Sequence, residues 1–589
     1  MVAFKGIGFL MRYTWRFEKR YILYQIARQI LVAVVPLSDI IIPKYIIDEL
    51  TGGKRVEVLL GWIGLLLAIN LLGNWLINFF EGNTFVLKGK VFTKFQTMMA
   101  DQLSKSDFER LEDPTFLDTK AKAEKFLYAD GQGFAAVLGS AFNILGQIFT
   151  FAGIVAVIMT LNIGIVLGFV LLILINAFYD SRVRKQLTVW DLEKAPIERK
   201  TSYFLDLVEN FAFGKEIRIY GIREWIVSKV HEHLQESNRF YTKQTKLLNR
   251  TRYISTFTNF ILKGVTYVYL AFSVLKNVIG IGDFTMYVSA LLNFSNAMKS
   301  LMDSLLNIRQ FGGYYDALKD YMDVPQRMYE GKQQPVPAGP YEIRFEDVSF
   351  RYPGQSADIL KHISITLHSG EKLSIVGENG AGKTTFVKLL CRLYDPTEGR
   401  ITLNGVDIRD LDYDAYMKLI GSVFQDYKLL AFTLKENVAF QNSDQEDDSR
   451  IQGILTRSGL GTLLGRLPKG IHTHIYHTFA EDGFDPSGGE GQKIALARAI
   501  YKDAPVMILD EPTAALDPRA EYEIYQNFSQ LTSGKTTVFI SHRMSSSKFC
   551  DHIALFKNGE IVEYGTHDEL MAKNGGYREL FNMQAQYYL

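Results

Sequence analysis

Cysteine is nearly absent: Cys391 and Cys550 are the only two in 589 residues. Two thiols in the C-terminal half exclude a disulfide framework, and neither is assigned a function. Net charge is nearly absent too, at +1 from 65 Lys and Arg against 64 Asp and Glu, and nothing in the sequence predicts a nucleic-acid partner. More informative is where charge is missing altogether. Val58 to Phe80 contains none, and at about 1.5 Å per residue it reaches about 34 Å as a helix, enough to cross a bilayer. Gly131 to Tyr179 contains none either; it is too long for one crossing and suits two, with a turn at "TLNIG" (160–164). Charge-free runs of this length argue against buried helices of a soluble protein.

Two further apolar regions carry isolated charges. Residues 22–47 hold Arg28, Asp39 and Lys44 with Pro36 and Pro43, and 253–306 gives two spans around "KNVIGIGD" (276–283). Six membrane helices are therefore expected within 1–323. Lys and Arg crowd the segment before the first span and the loops at about 88–130 and 180–252, whereas the turns near 160 and 276 have almost none. Both termini and both long loops are thus expected on the cytoplasmic side of a cell membrane. "GFLMRYTWRF" (8–17) reads as an amphipathic helix on the inner surface, not as a cleaved signal peptide.

Intramembrane charge is expensive against lipid, so Arg28, Asp39, Lys263, Lys299 and Asp303 are candidate liners of a substrate cavity. Arg28 and Asp39 lie eleven positions apart, about three helical turns, and so share a face. Each long loop reads as membrane helices that continue into the cytosol and return. Near their middles lie "LEDPTFLD" (111–118) and "FGKEIRIYGIREW" (213–225), simple turns or docking segments.

After a polar linker at 324–340, residues 341–589 alternate short strands with helices. "GENGAGKTT" (377–385) follows a strand and opens a helix: Gly377, Glu378, Asn379, Gly380, Ala381, Gly382, Lys383, Thr384 and Thr385 form a phosphate-binding loop. Its glycines let successive N–H groups close on phosphate, Lys383 supplies positive charge and Thr384 a hydroxyl for Mg²⁺. "APVMILDEPTAALD" (504–517) is an apolar strand ending on two acids, Asp510 suited to Mg²⁺ and Glu511 to a general base. A second anion-binding helix start, Ser487, Gly488 and Gly489, lies in "DPSGGEGQKIALARAI" (485–500).

Together these motifs resemble an exporter half-transporter of the ATP-binding cassette family, closest in wording to bacterial peptide, lantibiotic or multidrug exporters. The resemblance implies a multidomain chain, a six-helix all-α transmembrane domain followed by an α/β P-loop nucleotide-binding domain. It implies ATP and Mg²⁺ as ligands, Tyr352 ("FRYPG") stacking on adenine, and Gln425 ("SVFQD") at the metal and the membrane-domain contact. His542 ("ISHRM") resembles the switch histidine and Asp517 the aspartate after the catalytic strand. Ser487, Gly488 and Gly489 then complete the site of a second half-transporter, a homodimer by preference and a heterodimer as the alternative, and the two loop segments resemble coupling helices. The signature departs from the commonest L-S-G-G-Q at Pro486 and Glu490; the three residues that would face phosphate are intact, so a competent site is expected, weakened by repulsion from the 490 carboxylate unless it points away. "THIYHTFAEDGFD" likewise departs from the usual T-E-V-G-E-R-G. The expected function is ATP-driven export of a peptide or amphipathic molecule. The alternatives are a lipid or multidrug exporter, or an ATP-gated channel or regulator that does not pump. No peptidase domain precedes the spans, so leader cleavage by this chain is not expected.

Overall fold

The structure, a computed structural model, describes residues 2–127, 133–159, 171, 175, 178–179, 181–183, 186–187, 190, 197, 200–209, 213–329, 332–440, 447–512, 532, 534–541 and 544–586. The chain divides into two compact units: Met1–Ser104 with Pro114–Val324, and Lys105–Asp113 with Pro325–Leu589.

Helices build the first unit: α1 (Val2–Phe17), α2 (Lys19–Asp48), α3 (Val56–Lys105), and, after the short α4 (Phe108–Leu111) of the second unit, α5 (Pro114–Phe126) and α6 (Gly133–Ile158). There follow α7 (Gly214–Ile219), α8 (Arg223–Leu275), α9 (Ile281–Gly312) and α10 (Tyr315–Met322). Among the described residues four helices are long and apolar enough to cross a membrane: Lys19–Gly53, Val56–Lys105, Gly133–Ile158 and Arg223–Leu275. Only 6% of the most apolar window of α3 is buried within the unit, and Leu67, Leu71 and Trp75 stand exposed, as expected of a lipid-facing helix. At 50 and 53 residues, α3 and α8 reach about 75–80 Å, far beyond a hydrocarbon core of about 30 Å.

The expected count of six is not confirmed, since four candidate spans are found among the described residues. The span expected near 165–179 lies largely outside the described residues, as does the "TLNIG" turn. The last expected span, α9, is a 32-residue helix whose apolar run is interrupted by Asn293, Asn296, Lys299, Asp303 and Asn307. The amphipathic stretch expected at 8–17 is helical within α1. Leu10 and Thr14 are buried, and Phe9, Tyr13 and Phe17 pack around Phe95 of α3 at ring separations of 5.3–6.5 Å. Part of the apolar face thus packs on the unit's own core, while Trp15 stands exposed.

The second unit is α/β. A four-stranded antiparallel sheet runs β2–β1–β4–β5, from β1 (Ile343–Phe350), β2 (Leu360–Leu367), β4 (Glu398–Leu403) and β5 (Val406–Asp407). A six-stranded sheet runs β10–β9–β3–β8–β7–β6, from β3 (Lys372–Gly377), β6 (Ile420–Val423), β7 (Val506–Asp510), β8 (Thr536–Ile540), β9 (His552–Lys557) and β10 (Glu560–Gly565). All its pairings are parallel except β9–β10. β7 and β8 are buried at every position, which parallel strands covered on both faces require and which their unbroken apolar sequences supply. The stretch 325–340 packs with this unit: Gln334 N–H donates to Asp410 O at 2.8 Å, and Asp412 N–H donates to Gln334 O at 2.9 Å.

Within the first unit, α2 and α9 meet where Lys44 pairs with Asp283 at 2.6 Å. Gly282 makes that approach possible, since a Cβ there would lie 2.7 Å from the backbone carbonyl of Lys44. Gly282→Ala is therefore expected to cost about 1–3 kcal/mol through overpacking. Thermal unfolding of the detergent-solubilised protein should show a midpoint several degrees lower. Gly264→Ala on α8, where a Cβ meets nothing within 4 Å, should leave the midpoint unchanged or slightly raised.

Candidate active site

The phosphate loop sits where β3 ends and α11 (Lys383–Leu390) begins, and its glycines are dictated by space. Gly377 has φ +148°, and a Cβ there would lie 2.3 Å from the carbonyl of Phe556 on β9; Gly382 has φ +100°, with Leu360 only 2.6 Å from the same point. No other residue fits either position without moving the strands beside it. The cavity over the loop, about 830 Å³, is lined by Ile359, Asn379, Gly380, Gly382, Lys383, Thr384, Thr385, Gln425 and Glu511. Lys383 turns back on its own loop, its Nζ donating to Gly377 O at 2.9 Å and Glu378 O at 2.8 Å. Burial pushes its pKa down, and the charges of Glu511 and Asp510 push back.

Asp510 ends β7, and as the last residue of a fully buried strand it is itself only 2% exposed. Burial, then the charge of Glu511, pushes its carboxyl up to about 6, while a hydrogen bond from Thr384 works the other way. Its Oδ1 has no hydrogen-bond partner among the described residues. Glu511 adopts φ +49°, the left-handed region in which a side chain is strained, and its place is fixed from three sides. Its N–H donates to Ile540 O at 3.0 Å, Gln492 Nε2 donates to its carbonyl at 2.7 Å, and Gln425 Nε2 donates to its Oε2 at 3.0 Å. Gln425, beyond the end of β6, thus lines the same cavity as the acid pair.

Tyr352 lies beyond β1, half-buried, its hydroxyl 3.2 Å from Thr385 Oγ1. Around it stands a cluster that sequence reasoning missed. Lys388 Nζ lies over the rings of Tyr352 at 5.4 Å, Tyr394 at 5.5 Å and Phe108 at 5.6 Å. The Tyr394 hydroxyl donates to the Glu112 carboxylate, which also meets Lys388 at 3.4 Å. Lys388 could have been found from its spacing four residues after Thr384, on the same helical face; nothing local marks Tyr394. Residues 105–113, which share only 111–113 with the first loop segment, therefore belong to the nucleotide unit.

Ser487 caps α12 (Gly488–Lys502) in a reciprocal box, its hydroxyl accepting from Glu490 N–H at 3.3 Å and its N–H donating to Glu490 Oε2 at 2.9 Å. Glu490 Oε1 meets Arg466 at 3.1 Å. Although burial works the other way, these contacts hold the Glu490 carboxyl below its ordinary range. The unusual carboxylate is engaged with its own helix start. In the departing stretch before it, Tyr476 N–H donates to Phe484 O at 2.8 Å and closes a compact loop. His542 and Asp517 lie outside the described residues. Of the expected cavity residues, Arg28, Lys299 and Asp303 line one pocket of the first unit, whereas Asp39 accepts from Asn70 at 2.6 Å outside that pocket and Lys263 is exposed on α8.

The site's parts match known proteins. The ABC transporter family description matches residues 360–514. The chain is 29% identical over 575 residues to the subtilin transport ATP-binding protein SpaT of Bacillus subtilis, covering 96% of this chain and 91% of that one. It is 26% identical over 583 residues to the nisin transport ATP-binding protein NisT of Lactococcus lactis, covering 97% and 95%. With the ATP-dependent lipid A-core flippase of Ralstonia nicotianae it shares 31% identity over 420 residues, 69% of this chain and 68% of the flippase. The chain belongs to the ATP-binding cassette exporters. A solved bacterial Atm1-family ABC exporter with ATP bound has the same fold, with TM-score 0.80 and 22% identity over 96% of this chain and 98% of that one. This exporter therefore binds ATP and couples its hydrolysis to transport out across a membrane.

The exporter's buried acid sets a pH dependence. Because Asp510 ionises near 6 when folded and near the ordinary 3.8 when unfolded, the folded state binds the extra proton between those values. Its stability thus falls as pH rises from about 4 to 6. Asp510→Asn, neutral at every pH, is expected to stabilise the nucleotide-free protein at pH 7.5 by about 1–3 kcal/mol, with the gain shrinking toward pH 4. Thermal midpoints across that range check it; an equal gain at pH 4 and 7.5 contradicts the assignment.

Proposed function

We propose that the exporter carries peptides and works as a homodimer with two ATP sites, each completed by Ser487, Gly488 and Gly489 of the second copy. One observation carries the dimer reading: the cavity over the phosphate loop includes Gln425 and Glu511 but none of those three signature residues. Ile219, Tyr220 and Trp225 of the second loop segment also stand exposed, an apolar tip suited to docking on another subunit. The peptide reading rests on the two relatives named for subtilin and nisin, which align with nearly the whole chain. Six crossings per chain are inferred from the four apolar helices, the polar-faced α9 and the apolar run before 180. The distribution of Lys and Arg supports cytoplasmic termini and a cytoplasmic nucleotide domain.

In this reading Tyr352 stacks on the adenine, and the N–H groups of 378–382 surround the phosphates. Lys383 exchanges its two loop carbonyls for phosphate oxygens. The residues present fit Mg²⁺: Asp510 Oδ1 is a buried oxygen lacking a partner, Thr384 and Gln425 add oxygens, and no cluster of three acids, His or Cys competes among the described residues. When bound, Mg²⁺ neutralises charge on the triphosphate. Glu511, oriented by Gln425, accepts a proton from the water that attacks in line, giving ADP and phosphate. His542 and Asp517 are assigned by resemblance to the γ-phosphate side and to the loop after β7. Two ATPs closing the dimer favour an outward-facing state, and hydrolysis resets it.

Glu511→Gln should keep nucleotide binding while lowering steady-state hydrolysis by about 100-fold or more, trapping a closed dimer. Size-exclusion with multi-angle scattering of the 341–589 domain in ATP reads the dimer, and near-normal turnover would remove Glu511 from the role. ATP-dependent uptake of labelled peptide into inverted vesicles tests the cargo; uptake of lipid alone would replace the peptide reading with a flippase.

A further inference from the structure

The structure assigns to α1, with the adjoining turns of α2 and α3, a docking surface for the headgroups of acidic phospholipids. The inference is independent of which cargo is carried.

α1 turns one face to its neighbours and leaves another open. Gly6, Leu10 and Thr14, spaced four apart, are buried, while Lys5, Arg12, Trp15 and Arg16 are exposed, as are Lys19 and Arg20 at the start of α2. Phe9, Tyr13 and Phe17 all reach the single ring of Phe95, so α1 crosses α3 at one level and does not run beside it. Glu18 is the one acid before Asp39.

α3 brings further cations to that level. It runs antiparallel to α2 in a register fixed by three contacts: Tyr45 stacks on Trp62 at 4.8 Å, Asn70 donates to Asp39 at 2.6 Å, and Arg28 meets Glu81 at 3.0 Å. Continued past Arg28, the same register sets Lys19 and Arg20 level with Lys88 and Lys90. Lys90 and Lys94 are exposed and Lys88 is half-buried, and α3 holds no acid between Glu81 and Asp101. Residues 88–95 span about 10 Å of helix, so the cations of all three helices form a belt at one depth.

The belt is not neutralised from within. Arg28, Lys44 and Arg55 elsewhere in this unit each meet a carboxylate, whereas none of Lys5, Arg12, Arg16, Lys19, Arg20, Lys88, Lys90 and Lys94 pairs with an acid among the described residues. Lys19 Nζ lies over the Trp15 ring at 5.9 Å and Lys88 Nζ over the Phe85 ring at 5.2 Å, so two of the cations sit beside exposed aromatic surface. Clustered like charges repel, and an anionic surface relieves that repulsion.

The neighbouring apolar side chains decide which anion fits. Phe85 and Val86, 71% and 60% exposed, immediately precede Lys88 and Lys90, so the surface of α3 passes from apolar to cationic within about one turn. That order matches the passage from acyl chain to phosphate in a phospholipid. A nucleic acid or an acidic protein would satisfy the lysines and leave Phe85 and Val86 in water. Because part of the apolar face of α1 packs on protein, charge carries much of the attachment, which makes it sensitive to salt.

The test uses the full-length protein in dodecyl maltoside and reads the fluorescence anisotropy of two lipids labelled on the acyl chain, phosphatidylglycerol and phosphatidylcholine. Phosphatidylglycerol should bind about tenfold tighter in low salt, and roughly 0.5 M NaCl should remove most of that advantage. Arg12→Gln with Arg16→Gln, and separately Lys88→Gln with Lys90→Gln, should each cut the advantage about fivefold while leaving the affinity for phosphatidylcholine unchanged. Lys88→Arg with Lys90→Arg should keep it. Variants on two different helices keep the test decisive if one of them misfolds. Equal affinity for the two lipids, or an undiminished advantage in both Gln variants, overturns the docking surface. Displacement of the labelled lipid by glycerol 3-phosphate, beyond that caused by NaCl of the same ionic strength, overturns it too, because the belt then takes soluble phosphate and not lipid.

Discussion

A carboxylate that the fold buries and leaves partly unsatisfied governs the catalytic half of this protein. Asp510 inherits its burial from β7, which occupies the interior of a parallel sheet and must be apolar on both faces up to its last residue. The strand's end is therefore the one point where polar chemistry can begin, and it begins with two adjacent acids facing the phosphate loop. Lys383 cannot neutralise them fully while its ammonium is held by the loop's own carbonyls. Each charge at the site thus has only weak partners within the chain itself.

The membrane half meets a related difficulty with a different solution. Polar side chains on α9 would be costly against hydrocarbon, so they are turned toward α2 and α6, where Asn143 binds two serines across the helix interface. The residues that make α9 too polar to rank with the four apolar helices are the ones that line the cavity. A hydropathy argument and a cavity argument therefore read the same side chains with opposite sign. Arg28 and Asp39 illustrate the intermediate case. Periodicity places them on one face, and both reach α3, Arg28 at Glu81 and Asp39 at Asn70, which are also eleven positions apart.

What was legible in the sequence follows from how local each feature is. The phosphate loop needs glycines at positions where a Cβ would strike a neighbouring strand or residue, and that need is written contiguously from Gly377 to Thr384. The acid pair is legible because an apolar strand ends on it. The bond from Gln425 to Glu511 joins residues 86 positions apart, and the left-handed backbone of Glu511 has no sequence mark. For Glu490, charge alone leaves its direction open, whereas position N3 of a helix lets the carboxylate satisfy Ser487. For α1, amphipathicity shows that one face is buried and is silent on whether lipid or protein buries it.

The cluster around Lys388 gives the nucleotide unit a continuous wall from Tyr352 to residues 105–113. Tyr352 touches Lys388, Lys388 lies over Tyr394 and Phe108, and the Tyr394 hydroxyl holds Glu112. Asp107 accepts from the backbone N–H groups of Arg327 at 3.0 Å and Met328 at 3.1 Å, so the segment is anchored at both ends of its short helix. The chain runs directly from this segment into α3 on one side and α5 on the other. A ring held between a cation and two other aromatic rings cannot shift alone, because its neighbours are in van der Waals contact and packed matter has few intermediate arrangements. The placement of Tyr352 and that of residues 105–113 are for that reason one mechanical problem, solved by side chains that lie far apart in sequence.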